Sequence, residues 1–544
     1  MASALERHRT TGLLLGLGAV LAWHHRFLQD DAFISFHYAR NLLEGQGLTW
    51  FGQAIEGYSN FLWVLYLAGA MALGADPGRA AMIGGGLSFL VALGASAILA
   101  ERLLSSPPAR FFAVAVLVVN FSFVSYATGG LETMFVTALQ MLLLVLAVPA
   151  PSREDSTTST TALLSFSFLS GLLLLTRPDS VLPVTVVGIF LLHDLRRSRQ
   201  MGARSLAALL LPVGLLVGTW LLWKASYYGA LLPNTYDAKL SDSGSHFREG
   251  AVYVGRFLHA YLLWPFLLAI PVLLWLRRNE FRPGPLRPWL PCLGLVLGWW
   301  AYCLRTGGDF MEFRFLIASL PPLALLLARF WIDPWPQSRR GLVTALSLAL
   351  LALASAIHGL GFRTTTADLA LDSIHQLKTF YGAYPDEDWS RIGQPLGQRL
   401  GDLEVTLGLT AVGAIPYYSR LRTVDLHGLT DREIARHGRQ VGAGFARPGH
   451  QRYATLRQLR DRPVHLLLGH PTLVPLDVLH TSSPDQLRSW IQRTLPFEDL
   501  QQKPATLLVV PLDEKQGILA WYLTPHGVLE QQIAREGWPK RALP

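Results

Sequence analysis

Asp30-Asp31-Ala32-Phe33-Ile34-Ser35-Phe36-His37-Tyr38-Ala39-Arg40-Asn41-Leu42-Leu43-Glu44-Gly45 follows the first apolar segment, Thr11 to Trp23, almost at once. Two adjacent acids thus stand where the chain leaves an apolar span. Carboxylates at a membrane boundary are costly to bury, so such a pair marks either a helix cap or a functional site. The residues after them predict a short helix, with Asp31 as its cap and Gly45 and Gly47 as its stop. On that helix His37, Arg40 and Glu44 share one face, and Phe33 and Phe36 offer apolar anchors beside it. The pattern predicts an amphipathic helix lying at a bilayer surface.

Hydrophobic residues make up 51 % of the 544 and charged residues only 16 %, but that average hides a split. Apolar segments succeed one another from about Leu13 to His358; from Thr364 onward Asp, Glu, Arg and His are spread throughout. The split predicts a polytopic α-helical membrane part, residues 1–360, followed by a soluble mixed α/β domain, residues 361–544, of ordinary domain size. The net charge of +9 comes from arginines in short loops between spans, and no basic-aromatic motif points to nucleic acid. Cys292 and Cys303 lie in one apolar segment, roughly 16 Å apart along a helix, too far for a disulfide. The N-terminus reads as an uncleaved signal anchor, because many more spans follow it.

Twelve apolar segments stand out, at about 11–28, 60–75, 80–100, 110–127, 131–149, 162–176, 181–193, 205–224, 257–276, 289–305, 313–331 and 341–360. The loops holding Arg196, Arg197, Arg199 and Arg204, then Arg277, Arg278, Arg282 and Arg287, then Arg339 and Arg340, should be cytoplasmic. The parity of crossings then requires one segment not to cross. Making 60–75 re-entrant or interfacial leaves about eleven spans. It also puts the conspicuous polar motifs and the C-terminal domain on one extracytoplasmic, periplasmic side of the inner membrane. In the C-terminal part a helix is expected over Thr365–Phe380, strands near Glu404–Leu409, Thr423–Leu426, Val464–Leu468, Leu507–Val510 and Ile518–Leu523, and helices over Asp431–His437 and Asp485–Thr494.

The runs from Asp30 to Asn41 and from Glu56-Gly57-Tyr58-Ser59-Asn60 to Trp63 resemble the polyprenyl-phosphate-dependent GT-C glycosyltransferases. Gly308-Asp309-Phe310-Met311, Asn234-Thr235-Tyr236, Gly413-Ala414-Ile415-Pro416-Tyr417-Tyr418-Ser419 and Asp425-Leu426-His427-Gly428-Leu429-Thr430-Asp431 narrow the likeness. They resemble the AftB-type terminal arabinofuranosyltransferases, over most of the chain. The resemblance implies transfer of arabinofuranose from a polyprenyl-phosphate donor to a hydroxyl of a cell-envelope acceptor, with inversion. Mannose or aminoarabinose as the sugar, and a protein, pilin or lipid A as the acceptor, are the alternatives within the same fold. A lipid-linked sugar transporter is the alternative of another class, disfavoured by the lack of repeated halves.

The resemblance puts the general base on Asp30 or Asp31, with Asp30 preferred because Asp31 is the better cap. Arg177, Lys239 and Arg314 become candidates for the donor phosphate; snorkelling to headgroups is the plain alternative for Arg177 and Lys239, and pairing with Glu312 and Asp309 is that for Arg314. His37, Arg40, Glu56, Tyr58, Glu132, Asp179, Asn234, Tyr236, Asp309 and His427 become candidates for sugar or acceptor, against structural roles in capping and anchoring. No cofactor is required by this chemistry, though two adjacent acids could hold a divalent Mg or Mn beside phosphate.

Overall fold

The computed structural model of the chain describes residues 2–148, 159–239, 246–280, 286–361, 371–378, 389–440, 450–494 and 504–543. Helices fill the chain as far as Gly361, and a mixed sheet follows. Among the described residues five helices are long and apolar enough to cross a bilayer: Pro77–Leu103, Pro178–Arg197, Ala203–Tyr228, Arg314–Ile332 and Gln337–Gly361. A sixth crossing results if Phe247–Ala260 and Leu263–Leu276, bent by 82°, count together. Four further apolar helices, Phe61–Ala72, Pro107–Val118, Thr133–Ala147 and Thr160–Thr176, have 12 to 17 residues. At 1.5 Å per residue they reach roughly 18–26 Å, short of the ~30 Å hydrocarbon core.

The expected eleven spans therefore resolve into five or six full-length crossings and several shorter helices. The reason is local. The apolar run over 110–127 breaks where Asn120 leaves the helix and caps a new one, its side chain accepting from the Phe123 amide at 2.9 Å. The run over 257–276 turns at Leu262, whose φ is +48°. The segment singled out at 60–75 forms only the 12-residue helix Phe61–Ala72.

The opening stretch forms the helix Ala32–Leu43, and Gly45 and Gly47 follow at φ +76° and +72°, the left-handed turn that only glycine adopts freely. Two expectations change here. Asp31 makes no capping hydrogen bond to the helix, and the helix does not lie on a surface: its residues from Ala32 to Ala39 are all buried. Helices of the bundle cover one side of it and the C-terminal region covers the other.

That region carries a sheet in the order β2 (Thr423–Asp425), β1 (Leu407–Leu409), β5 (Leu466–Gly469), β8 (Gln516–Tyr522), β7 (Ala505–Pro511) and β9 (Lys540–Leu543), with β6 (Leu473–Pro475) also on β8. The three strands β2, β1 and β5 are parallel, and the rest pair antiparallel. All five expected strands are present, as are helices Arg432–His437 and Pro484–Thr494. Of the expected helix over 365–380, Ile374–Lys378 is seen; 365–370 and 379–380 lie outside the described residues.

Candidate active site

The loops at one end of the bundle close on the start of the Ala32–Leu43 helix. Gly130, at φ +86°, passes directly beneath it: a methyl group there would press on Leu28 and Ala32. The Gly130 carbonyl accepts from the Trp63 indole at 3.1 Å. This close approach seats Glu132 beside the helix. A cavity of about 60 Å³ results, walled by Asp31, Tyr58, Asn60, Glu132, Arg177 and Arg314, with Thr235 and Leu429 above.

Its charges are locked by one another. Arg177 donates from Nε to both oxygens of Asp179, at 2.9 and 3.2 Å, from Nη2 to Asp179 at 2.5 Å, and from Nη1 to Glu132 at 2.8 Å. The other Glu132 oxygen accepts from Asn60 at 2.7 Å, and Asn60 also donates to Ser35 at 3.0 Å. Arg314 donates to Asp309 at 2.5 Å and feels the charges of Glu132 and Asp31. Both guanidiniums lie against the Phe315 ring, at 5.3 and 5.1 Å. Arg177 commits three N–H groups to carboxylates, out of the five a guanidinium carries. With Asp31, Glu132, Asp179 and Asp309 set against two arginines, the ionised cluster holds more negative than positive charge.

Asp30 takes a different partner. Its carboxylate accepts from the Gly413 and Ala414 amides at 3.0 and 2.7 Å. A methyl group at Gly413 would collide with the Asp30 main chain and carboxylate. Burial pushes Asp30 up to about 7; the Ala414 amide opposes this, and the charge of Asp31 adds to it.

The polar face of the same helix points away from the cavity. Arg40 donates to the Tyr417 carbonyl at 2.6 Å and covers its ring at 4.5 Å; Glu44 pairs with Arg420 at 3.0 Å. His37 meets Arg40 at 3.2 Å and packs on Trp50 and Phe51; burial, and after it the charge of Arg40, lower it to about 3. Asn234 donates to the Gly428 and Leu429 carbonyls at 2.7 and 2.9 Å. Asp425 folds its own loop, accepting from the His427 and Thr430 amides, and burial pushes it up to about 7. His427 packs on His450 and Tyr453. Tyr236 is 47 % exposed and outside the cavity. The Lys239 side chain lies outside the described residues.

Of the sequence candidates, then, Asp31, Tyr58, Glu132, Arg177 and Arg314 meet in the cavity, with Asp179 and Asp309 immediately behind. Asp30, Arg40 and Asn234 join the helices to the C-terminal region, whereas His37 packs on Trp50 and Phe51 and His427 packs within the C-terminal region itself. Glu56 pairs instead with Lys224 at 2.8 Å, and burial pushes it up to about 7 while Lys224 pulls it down. Lys224, Asn60, Ser35 and Thr235 were not among the sequence candidates. The signal for Lys224 was present: it is the one cation in the apolar run 205–224, and an ionisable group at a membrane depth marks a site. Among the described residues no three His, Cys, Asp or Glu side chains converge as a metal-binding group.

Comparison with known proteins adds three findings. Residues 379–508 match a family described as a domain of unknown function (DUF8728). Over 369 residues the chain is 30 % identical to the terminal β-(1→2)-arabinofuranosyltransferase of Mycobacterium tuberculosis, covering 59 % of this chain and 54 % of that protein. Over 340 residues it is 30 % identical to the terminal β-(1→2)-arabinofuranosyltransferase of Corynebacterium glutamicum, covering 56 % and 48 %. The chain thus spans about half the length of the curated relatives it matches. Among solved structures, apo ArnT from Cupriavidus metallidurans superposes with a TM-score of 0.55 at 14 % identity, over 97 % of this chain and 100 % of that one. The same protein bound to undecaprenyl phosphate gives 0.53 at 15 %, over 95 % and 98 %. The chain is a multi-pass membrane protein with the fold of ArnT, and over about half their length it is similar to the terminal β-(1→2)-arabinofuranosyltransferases.

Proposed function

We propose that this chain transfers arabinofuranose from a polyprenyl-phosphate donor to a hydroxyl of a cell-envelope acceptor, on the extracytoplasmic side of the membrane. The observation that carries the reading is the single cavity in which Asp31 faces Arg177 and Arg314, with Glu132 between them. The base is assigned to Asp31 rather than Asp30, since Asp30 already spends both oxygens on the Gly413 and Ala414 amides.

In this mechanism the Asp31 carboxylate accepts the proton of the acceptor hydroxyl as its oxygen attacks the anomeric carbon. The bond from that carbon to the phosphate oxygen breaks on the opposite face, and the electron pair leaves with the phosphate. The configuration therefore inverts. Arg177 and Arg314 hold the departing phosphate with donors already oriented by Asp179 and Asp309. The surplus of carboxylates suits the positive charge that grows on the sugar ring in an oxocarbenium-like state.

The test is incubation of the purified full chain with defined polyprenyl-phosphate sugars and cell-envelope glycans, with mass spectrometry of the products. A pentose mass increment from the arabinofuranosyl donor, absent with Asp31→Asn, is the expected result. Transfer from a mannosyl or aminoarabinosyl donor alone would reassign the sugar, and movement of lipid without transfer would replace the enzyme by a transporter.

A further inference from the structure

Two helices of the bundle turn an apolar stripe outward. The helix Ala2–His24 exposes Leu13, Leu17, Val20 and Trp23, and the helix Gln337–Gly361 exposes Leu353, Ile357 and Leu360. Each set recurs at intervals of three and four residues, so each lies along one helix face. In a membrane protein such faces meet lipid. Both stripes run to the last turn of their helix and stop there, at Trp23 and Leu360.

Directly beyond them stands a cluster of basic side chains: His24, His25 and Arg26 of the first helix end, and His375 and Lys378 of the short helix Ile374–Lys378. The Phe121 ring is their common floor, with His25 edge-on at 5.1 Å, His375 stacked at 5.8 Å and the Lys378 ammonium at 6.0 Å. Arg26 covers the Trp23 ring at 4.7 Å and donates to its carbonyl at 2.9 Å. His375 donates from Nε2 to the Gly359 carbonyl, at the open end of the second helix. The charges reinforce one another. Burial, and after it the charges of Lys378, His24 and His375, lower His25 to about 4. Burial also lowers Lys378; Glu312 opposes this and Arg26 adds to it. Among the described residues no carboxylate pairs with any of the five. Glu312 itself is buried and holds Ser122, His358 and the Ile374 amide at 2.9, 2.7 and 2.8 Å.

We propose that this cluster binds the phosphate of an anionic phospholipid headgroup. The apolar stripes set it at the level where headgroups lie, and Trp23 stands at that boundary as interfacial tryptophans do. Its uncompensated charge suits an anionic lipid, and Arg26 and Lys378 can both give charge-assisted hydrogen bonds to phosphate oxygens. Arg26 and His24 are exposed and the other three half-buried, so a headgroup can reach them. The polyprenyl donor is assigned elsewhere, to Arg177 and Arg314, in a cavity that none of the five lines. The proposal therefore stands apart from the transferase reading.

The experiment is native mass spectrometry of the full chain released from detergent micelles, titrated with phosphatidylglycerol, phosphatidylcholine or polyprenyl phosphate. Phosphatidylglycerol should be retained in preference to phosphatidylcholine. Arg26→Gln and Lys378→Gln should each weaken that retention about fivefold, and the joint variant about tenfold or more. Arg26 is exposed and reaches only Trp23 among the described residues, so Arg26→Gln tests binding without loosening the bundle. Arg26→Lys keeps the charge and should keep the retention. Equal retention of the two phospholipids would overturn the proposal, as would phosphatidylglycerol retention unchanged in the joint variant. Stronger retention of polyprenyl phosphate that the joint variant abolishes would replace it by a donor site, and displacement of phosphatidylglycerol by inorganic phosphate would replace it by a site for free anions.

Discussion

Asp30 and Asp31 are neighbours in sequence and belong to different parts of the molecule. Asp30 is part of a seam, where outer loops of the bundle grip the C-terminal region: Asp30 on Gly413, Arg40 on Tyr417, Trp50 on Thr423, Asn234 on Leu429. Asp31 is part of a cleft, where carboxylates meet guanidiniums. In the seam most partners are backbone amides and carbonyls, which cannot change charge. In the cleft the partners are ions that an anionic ligand can displace. The same residue types thus meet main-chain groups in one place and opposite charges in the other, and only the identity of the partner separates the two.

That contrast breaks most sharply at Asp31. Asp31→Asn should lower kcat by about 10²–10⁴-fold with donor binding retained, as expected for loss of a general base; single-turnover assays with bound donor check it. Arg177→Ala comes next, with a loss of about 10²–10³-fold from one missing oriented cation and weaker donor binding in equilibrium titration. Gly413→Ala tests the seam. The added methyl has no room beside Asp30, so stability should fall by about 1–3 kcal/mol, read as a lower unfolding temperature and easier proteolysis of the C-terminal region.

Asp30→Asn should act through pH. Because burial holds the folded pKa up at about 7, above the unfolded value of about 3.9, Asp30 contributes stability fully below about pH 4 and loses it as pH rises through 7. The wild-type unfolding temperature should therefore fall across that window relative to Asp30→Asn, whose profile is flatter. Glu56 and Asp425, also pushed up to about 7, titrate in both proteins and cancel in the difference. The smallest effect is expected for His37→Phe: the imidazole is neutral in its aromatic cage, so kcat should stay within about twofold and stability within ~1.5 kcal/mol.

Local patterns made much of this legible in the sequence. The helix ending before Gly45, the five strands of the sheet, and the gathering of acids and arginines in alternate loops all follow from short-range rules of periodicity and turn chemistry. What could not be read was partnership across the chain. Asp30 meets Gly413 over 383 residues, and nothing near either reveals it. The capping argument that favoured Asp30 as base assumed a bond from Asp31 to its own helix, which Asp31 does not make. His37, Arg40 and Glu44 share a helix face as their spacing predicts, but Arg40 and Glu44 on it meet Tyr417 and Arg420 instead of a bilayer surface. Span number failed for a different reason: hydropathy reports apolar length and overlooks local breaks such as the cap at Asn120 and the turn at Leu262.

The two acids are joined by one planar peptide unit, which keeps successive Cα atoms about 3.8 Å apart. Whatever lifts the sheet from the bundle must drag on that unit, so a loosened roof displaces Asp31 as well as Asp30. Any shift of the Gly413–Ala414 turn is thereby passed to both acids at once, without any separate latch.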